Sequence, residues 1–343
     1  MTDRHCKIYW SPAEPNEATR YYVGLMEQSL KCYFSSVTYT HNIEDIQKDD
    51  VVVIISIMSF LRVWKQNHKQ DIIYWWQGIA PEESTFGKLH VSIRDKLKYY
   101  YYCGLERLCL HVSRLNFFVS KAMHKHYERK YKYNRNNYII MPCFNQKLNE
   151  EAFSKPNKYK HPSFVYAGSI LAWQCVEEAL ILYGLVKKKY PIASMTLLTR
   201  NHIEAQVLVD KHNLTDVEIK FVPLEQLNKE LSKYKYGMLL RADDPVNNVA
   251  TPTKFNSYLA VGVIPILSQV IGDYGSITNN MKFAVCVKNE RDFQNAFNKI
   301  DILEQNEICP INILDEYKTI FNSYYNEPLY INRIANKLAE IFI

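Results

Sequence analysis

Short runs of β-branched and aromatic residues alternate with amphipathic stretches along the whole of this sequence. Such alternation is typical of parallel strands joined by helices, because each crossover needs a helix that returns the chain to the same end of the sheet. With 343 residues, the chain is long enough for two domains of ordinary size. We therefore predict an α/β protein with two Rossmann-like, doubly wound domains that face a central cleft.

The first half of the chain supplies six strand candidates and at least two helices, and we assign residues 1–144 to an N-terminal domain. A long helix is indicated by apolar residues that recur in steps of three and four between Ile93 and Val112. A further helix is predicted at Glu17–Tyr33. The predicted strands are Lys7–Trp10, Val37–Thr40, Val51–Ile57, Ile72–Trp76, Leu115–Ser120 and Tyr138–Met141.

A polar, proline-containing stretch, Asn145–Pro162, indicates a linker, after which the same alternation resumes. We assign residues 145–312 to a C-terminal domain, and residues 313–343 to two helices that pack back across the cleft. The predicted strands are Phe164–Ala167, Ser194–Thr199, Val217–Val222, Tyr236–Arg241, Val263–Leu267 and Phe283–Val287. The predicted helices are Val176–Tyr190, Leu224–Lys233, Thr253–Val261 and Arg291–Lys299.

Several classes of protein are disfavoured by composition and by the N-terminal sequence. The first 20 residues lack the unbroken apolar core of a secretory signal, and the longest apolar run, Val51–Met58, is too short to cross a bilayer. We therefore expect a cytoplasmic protein, which argues against a periplasmic two-lobed binding protein. Eight scattered cysteines without zinc-type spacing are interpreted as reduced packing residues.

The segment Arg241–Leu267 contains the strongest candidate for an anion site. Pro252 and Thr253 begin a predicted helix that ends at Gly262, and Thr253 and Lys254 lie in its first turn. Free N–H groups, the positive end of the helix dipole and a lysine together favour phosphate. The alternative interpretation is an ordinary capped helix with a solvated lysine.

The stretch PTKFNSYLAVGVIPI also resembles the donor-site signature of glycosyltransferase family 4, whose members are retaining enzymes with the GT-B fold. The matching positions are Pro252, Lys254, Tyr258, Leu259, Ala260 and Gly262. Further segments resemble the family in its own order along the chain. They are YWWQGIAPEES (Tyr74–Ser84), similar to bacterial members acting on surface polysaccharides; the hinge-like IIMPCFN (Ile139–Asn145); FVYAGSILAWQ (Phe164–Gln174); and TLLTR, which ends at Arg200.

The resemblance implies a metal-independent transferase that needs no cofactor and moves a sugar from a nucleotide diphosphate donor to a bacterial glycan or a lipid-linked acceptor. The family's usual arginine and lysine after the first C-terminal strand are missing here, so cationic help for the diphosphate is expected from Lys254, Arg200 or Arg241. Together with Gln77, these are the candidate catalytic residues. The implied donor-binding residues of the C-terminal, nucleotide-sugar-binding domain are Gly168, Ser169, Val222, Asn248, Thr253, Lys254, Phe255 and Ser257. In the N-terminal, acceptor-side domain, the predicted strand that ends at Trp76 should direct its carboxyl end to the cleft. The residues that follow it could orient the acceptor hydroxyl or could form a capped loop before the next helix: Gln77, Gly78, Glu82 and Glu83.

The sequence departs from this family at two glutamates that the family usually carries eight positions apart. The second, which contacts the ribose, aligns with Ser257, and the first falls near Val249. A donor-binding subunit with little or no catalysis is therefore an alternative, as is a GT-B-like sugar epimerase. A carboxylate near Gln77 could also be the base of an inverting enzyme, although the motifs favour retention.

No metal site is predicted, because Asp243 and Asp244 lack DxD spacing and His124 and His126 fall on different faces of a helix. The segment Lys121–Arg135 interleaves six basic residues with Met and Tyr residues. We expect it either to lie on an anionic membrane surface, on the inner face of the membrane, or to be a solvated basic helix. No module for binding nucleic acid accompanies this charge.

Overall fold

The computed structural model describes residues 2–10, 17–88 and 90–342. Contacts between Cα atoms group the chain into two compact units. The first unit consists of Met1–Phe144, Asn248–Thr251 and Asn326–Ile343, and the second consists of Asn145–Asn247 and Pro252–Tyr325. The chain therefore leaves the first unit at Phe144, returns to it briefly, and completes it at the end.

The first unit contains a six-stranded sheet in which every described pair of neighbouring strands is parallel. Its strands are β1 (Thr2–Tyr9), β2 (Phe34–Thr40), β3 (Val51–Ile54), β4 (Asp71–Trp76), β5 (Leu115–Phe118) and β6 (Tyr138–Ile140), in the spatial order β2-β1-β3-β4-β5-β6. All residues of β3 and β5 are buried, as expected for strands covered on both faces by helices.

The second unit contains a second parallel sheet of six strands. Its strands are β7 (Ser163–Ala167), β8 (Ser194–Leu198), β9 (Val217–Lys220), β10 (Tyr236–Leu239), β11 (Ile264–Ser268) and β12 (Val285–Val287), in the spatial order β12-β11-β10-β7-β8-β9. The strand order reverses between β7 and β10, which is the place where open α/β sheets bind ligands.

Helices connect the strands of both sheets. In the described residues they are α1 (Glu17–Lys31), α2 (Ile57–Gln66), α3 (Ala80–Thr85), α4 (Ile93–Val112), α5 (Lys121–Tyr131), α6 (Val176–Lys189), α7 (His202–Lys211), α8 (Leu224–Leu231), α9 (Pro245–Val249), α10 (Thr253–Ala260), α11 (Tyr274–Thr278), α12 (Phe293–Gln305), α13 (Pro310–Ser323) and α14 (Glu327–Ile341). Among them, none has the length and apolarity needed to cross a membrane.

The predicted α/β class with two parallel sheets is confirmed, and the local differences have identifiable causes. The predicted strand Val51–Ile57 ends early, at Ile54, because Ser56 caps α2 by accepting a hydrogen bond from the Ser59 N–H. Strand and helix belong to one apolar run, so the change of structure leaves no break in hydrophobicity. The predicted basic helix also ends early, at Tyr131, where Lys132 adopts a left-handed conformation.

The two tail helices fall in different units. Helix α13 belongs to the second unit, whereas α14 packs against α1 in the first. There Tyr21 donates a hydrogen bond to Glu327, the Ser29 hydroxyl donates to the Ile331 carbonyl at 3.2 Å, and Leu338 is buried. The tail that we treated as one segment, 313–343, is therefore divided between two cores.

Candidate functional site

In the second unit, the candidate site lies where the strand order reverses. Strands β7 and β10 are neighbours, so their carboxyl ends lie at the same edge of the sheet. Gly168 follows β7 directly, and Arg241 lies two residues beyond β10. Lys254 occupies the first turn of α10. We call Tyr166, Gly168, Gln174, Arg241 and Lys254 the Lys254 cluster.

Lys254 is a half-buried cation held by neutral groups. Its Nζ donates to the Tyr166 hydroxyl at 3.2 Å and to Gln174 Oε1, and lies 4.5 Å from the centre of the Tyr166 ring. Burial lowers the pKa of Lys254 well below its usual value, and the nearby positive charge of Arg241 lowers it further. Within the described residues, no carboxylate lies within ion-pair distance of this ammonium group.

Arg241 is more deeply buried than Lys254 and is also held by a neutral group. Its Nη1 donates to the Trp173 carbonyl at 3.0 Å, and its backbone N–H donates to the Ser268 hydroxyl at 2.9 Å. Burial lowers the pKa of its guanidinium. The buried Arg241 and the half-buried Lys254, without a carboxylate partner in the described chain, form a site of positive potential, because burial weakens the screening of their charges.

Gly168 lets the backbone approach Lys254 closely. Its φ is +144°, a value that residues with a Cβ rarely adopt. A Cβ at this position would lie 2.8 Å from Lys254 Cε. The loop continues with Ser169, whose carbonyl accepts a hydrogen bond from the Tyr166 hydroxyl at 2.6 Å. The predicted glycine loop and the predicted lysine are therefore in direct contact.

Helix α10 presents its amino end at the same place. Pro252 is the N-cap residue and makes no side-chain capping hydrogen bond, while the Phe255 N–H donates to the Pro252 carbonyl at 3.2 Å. The N–H groups of Thr253 and Lys254, in the first turn, have no intrahelical acceptor. This end of the helix therefore adds N–H donors and a positive dipole end to the charge of the cluster.

Two further predicted donor residues of α10 point into the protein. The Phe255 ring is completely buried, with its centre 4.4 Å from that of Tyr274. Ser257 is also buried, and its hydroxyl donates to the Thr253 carbonyl at 3.1 Å. A ribose contact by Ser257, which stays a prediction, would require the hydroxyl to accept a hydrogen bond from the ribose through a lone pair, or the bond to Thr253 to break.

Three predicted residues have their contacts elsewhere. The exposed guanidinium of Arg200 lies 4.5 Å from the centre of the Phe221 ring, and Val222 follows β9 at the edge of the sheet. Asn248 belongs to the first unit. The segment that follows it is bonded there, because the Val249 carbonyl accepts from the Ser120 hydroxyl at 2.7 Å.

In the first unit, a pocket of about 320 Å³ lies at the carboxyl ends of β3 and β4. We call it the first-unit pocket. It is lined by Ile55, Ser56, Ile57, Tyr74, Trp76, Gln77, Gly78, Ala80, Glu83 and Glu106. Gln77 Nε2 donates to the Ile55 carbonyl at 3.2 Å, and the buried indole of Trp76 donates to Asn116 Oδ1 at 2.8 Å. Four of the five predicted acceptor-side residues therefore line one pocket.

The two predicted glutamates of this region differ in environment. Glu83 Oε1 accepts from the Ile79 N–H at 3.2 Å and is so close to Gly78 that a Cβ there would clash with it. Burial raises the pKa of Glu83. Burial alone would also raise the pKa of Glu82, but a hydrogen bond from Lys130 and the nearby imidazole of His126, whose Nε2 lies 3.4 Å from Oε1, lower it. Glu82 is not among the residues that line the pocket and anchors α3 to α5 instead.

Glu106 is a pocket residue that the sequence analysis missed. Its Oε1 accepts from the Ala80 N–H at 3.0 Å and from the Tyr127 hydroxyl at 3.2 Å, and its Oε2 accepts from the Tyr131 hydroxyl at 2.8 Å. Burial raises the pKa of Glu106 to about 7, although Lys130 lies 3.7 Å away. The sequence signal that could have identified Glu106 as a site residue is an acidic side chain among the apolar positions of a predicted helix. A carboxyl with such a pKa can donate or accept a proton near neutral pH.

The segment Lys121–Arg135 exposes most of its cations and buries most of its apolar and aromatic side chains. Lys121, Lys125 and Arg129 are exposed, whereas Met123 and Tyr127 are buried. The tyrosines that we expected on a lipid-facing surface therefore contribute to the core, and membrane contact through this segment stays a prediction. His124 is buried too, and the described residues contain no group of three or more His, Cys, Asp or Glu that could hold a metal ion.

Comparisons with known proteins identify the fold. No family model matches the chain, and no curated protein matches it in sequence. An E. coli trehalose-6-phosphate structure bound with UDP-2-fluoro glucose is similar, with a TM-score of 0.65, 11% identity and 98% of each chain covered. A trehalose-6-phosphate synthase studied for glycosyltransfer with retention has a TM-score of 0.64 and 10% identity, with 96% of this chain and 99% of that chain covered.

A mutant of S. aureus TarM in complex with Fondaparinux, α-GlcNAc-glycerol and UDP is also similar, with a TM-score of 0.63 and 13% identity. The match covers 86% of this chain and 56% of that chain, so this chain spans little more than half the length of TarM. These neighbours are glycosyltransferases of the GT-B class, and the likeness shows that the chain has the GT-B fold.

Proposed function

We propose that this protein is a glycosyltransferase that binds a nucleotide diphosphate sugar at the Lys254 cluster. The observation that carries the proposal is a pair of cations, the buried Arg241 and the half-buried Lys254, beside the amino end of α10 and the Gly168 loop. A diphosphate supplies the negative charge that this pair lacks. The similar structures that contain UDP or a UDP-sugar support a uridine nucleotide as the first one to test.

The same groups suit the chemical step. When the bond between sugar and phosphate breaks, negative charge develops on the departing diphosphate. Lys254, Arg241 and the first-turn N–H groups of α10 are already oriented in a partly desolvated site, where such charge is stabilised most strongly. We propose that this arrangement makes the reaction independent of a metal ion. Activity should therefore be retained in EDTA, and an absolute requirement for Mg²⁺ or Mn²⁺ would contradict the proposal.

We propose that the first-unit pocket takes the acceptor, a bacterial glycan or a lipid-linked sugar, at the cytoplasmic face of a membrane. Its aromatic walls suit a sugar ring, and Gln77 and Glu83 offer polar groups to hydroxyls. We further propose that transfer retains the anomeric configuration, as the donor-site motif favours. If Glu83 or Glu106 instead acts as the base of an inverting reaction, NMR of the first product will show the opposite anomer.

The direct test of the donor site is calorimetric titration of UDP into the wild-type protein and into Lys254→Ala. Losing one charge-assisted contact costs about 1.5–3 kcal/mol, so we expect the affinity to fall at least tenfold. Lys229→Ala, which removes an exposed lysine on α8, is the matched control and should bind UDP normally. Equal affinity of a folded Lys254→Ala variant would refute the donor site.

The absence of both family glutamates favours one second candidate, a donor-binding subunit without catalysis. Ser257 and the region of Val249 stand where these glutamates would be. A transferase and a donor-binding subunit differ in whether they turn over the UDP-sugar. A transferase should slowly hydrolyse its UDP-sugar and release UDP when no acceptor is present, whereas a binding subunit should release none. If UDP does not bind, thermal-shift measurements with GDP, CMP and ADP identify the base that does.

A further inference from the structure

Helix α4 has two halves with opposite environments. Its second half is buried in the first unit through Leu105, Glu106, Cys109 and Leu110. Its first half exposes large apolar side chains: Ile93 is 78% exposed, Leu97 66%, Tyr100 70% and Tyr101 50%. Large, contiguous apolar patches on a protein surface mark sites of interaction with another molecule or with a membrane.

The exposed apolar residues form a single stripe. They stand at positions i, i+4, i+7 and i+8 of the helix, which places them on one face. Arg94 and Lys98 follow Ile93 and Leu97 by one residue each and flank the stripe on one side, while Lys96 flanks it on the other. All three cations are exposed. The α4 stripe is therefore apolar along its centre and positively charged along both edges.

The exposed half of α4 is a well-formed helix although most of its apolar face is open to solvent. Ser92 and Asp95 form a reciprocal capping box, and Lys88 forms an ion pair with Asp95. On the opposite side of the helix, Tyr99 lies beneath the ammonium group of Lys130, 5.2 Å from the ring centre. These contacts hold the helix in place by its polar side and leave the α4 stripe directed to solvent.

We propose that the α4 stripe inserts into the headgroup region of an anionic lipid bilayer, with Arg94, Lys96 and Lys98 contacting lipid phosphates. An apolar stripe between cations is the arrangement by which helices lie in a membrane interface. A second copy of this chain is a poorer occupant, because a two-fold interface would place the same three cations opposite one another. The proposal goes beyond the transferase function and requires neither donor nor acceptor.

The neighbouring basic helix α5 lacks the apolar part of such a surface. Its exposed Lys121, Lys125 and Arg129 can attract anionic lipid, but Met123 and Tyr127 are buried and cannot insert. Binding through α5 would therefore be purely electrostatic and insensitive to substitutions in α4. Binding through the α4 stripe depends on both charge and apolar contact. Substitution of apolar residues in α4 therefore distinguishes the two surfaces, because it weakens binding only if the α4 stripe inserts.

The test is flotation of the full chain with phosphatidylcholine vesicles that contain either no anionic lipid or one quarter phosphatidylglycerol. We expect binding to the anionic vesicles only. Ile93→Ser with Leu97→Ser should lower the partition coefficient at least tenfold, since each side chain loses a large apolar transfer energy. Arg94→Gln, Lys96→Gln and Lys98→Gln together should lower it about a hundredfold at low salt.

The matched control is Ile203→Ser with Val207→Ser on α7, an equally exposed i, i+4 apolar pair, which should leave binding unchanged. Replacing Lys121, Lys125 and Arg129 by Gln should reduce binding less than the α4 charge variant does. The proposal is overturned if the wild type does not bind anionic vesicles or binds neutral ones equally well. It is also overturned if only the α5 variant loses binding, or if light scattering shows a dimer that Ile93→Ser with Leu97→Ser dissociates. UDP binding is unaffected by each of these outcomes, so the donor site is tested separately.

Discussion

Replacing Glu106 by Gln should change how the stability of the protein depends on pH. Gln has the same shape and can keep the hydrogen bonds from the Ala80 N–H and the Tyr127 hydroxyl, while its NH₂ group can donate to the Tyr131 hydroxyl. The substitution removes only the ability to ionise. The pH dependence of the difference between the two proteins therefore reports the pKa of Glu106 in the folded state.

The expected magnitude follows from the raised pKa. A carboxyl with a pKa of 4.5 when unfolded and about 7 when folded binds more protons in the folded state between these two values. The free energy of unfolding of the wild type therefore falls as pH rises through this window and levels off above it. At 1.36 kcal/mol per pKa unit, the loss between pH 5 and pH 8 is about 2.5 kcal/mol, and Glu106→Gln does not suffer it.

Urea unfolding at pH 5, 6, 7 and 8 measures this difference. The free energy of unfolding of Glu106→Gln minus that of the wild type should increase by about 2.5 kcal/mol over the series. Glu230→Gln is the control: ion pairs lower the pKa of Glu230 to about 2 despite partial burial, so its contribution is constant above pH 5. A flat difference for Glu106→Gln would show that this carboxyl is already ionised at pH 5 and would refute the reasoning.

Substitutions at two further positions, Gly168 and Ser257, test the donor site. Gly168→Ala should weaken UDP binding, measured by calorimetry, at least tenfold while the protein stays folded. The new Cβ would lie only 2.8 Å from Lys254 Cε and would push that side chain away, and the positive φ is unfavourable for alanine. Normal affinity would exclude a contact between this loop and the diphosphate. Ser257→Ala should weaken UDP binding less than threefold, since the hydroxyl is bonded to the Thr253 carbonyl, whereas Ser257→Glu should tighten it if the position faces the ribose. Equal preference of wild type and both variants for UDP over 2′-deoxy-UDP would place Ser257 away from the ribose.

The central strands could be predicted from sequence because they are short apolar runs bounded by polar residues. Phe164–Ala167, for example, differs from the observed β7 by one residue. Helix α2 could not be separated from β3 in this way, since Ile57 and Phe60 are as apolar as the strand before them. The only local signal was Ser56, a good N-cap residue, and a single serine is a weak boundary within a hydrophobic run.

The candidate site was predictable in part. Proline, threonine and lysine at the start of α10 point to an anion site by local rules alone, and Arg241 is the last residue of the predicted strand Tyr236–Arg241. The burial of Phe255 and Ser257 could not be predicted from such local rules. It depends on how α10 is rotated about its axis, which is determined by the elements that the helix packs against. The raised pKa and the hydrogen bonds of Glu106 depend on tertiary structure still more, because its tyrosine partners, Tyr127 and Tyr131, come from another helix.

The division of the first unit along the chain has a consequence for its synthesis. Residues up to Phe144 supply all six strands of its sheet, but Tyr330, Ile334 and Leu338 of α14 complete its core from the far end of the sequence. During translation, the emerging sheet must therefore wait, with the surface that α14 will cover still open to water, until about two hundred more residues have been made. The second unit is nearly contiguous and can finish folding before the first.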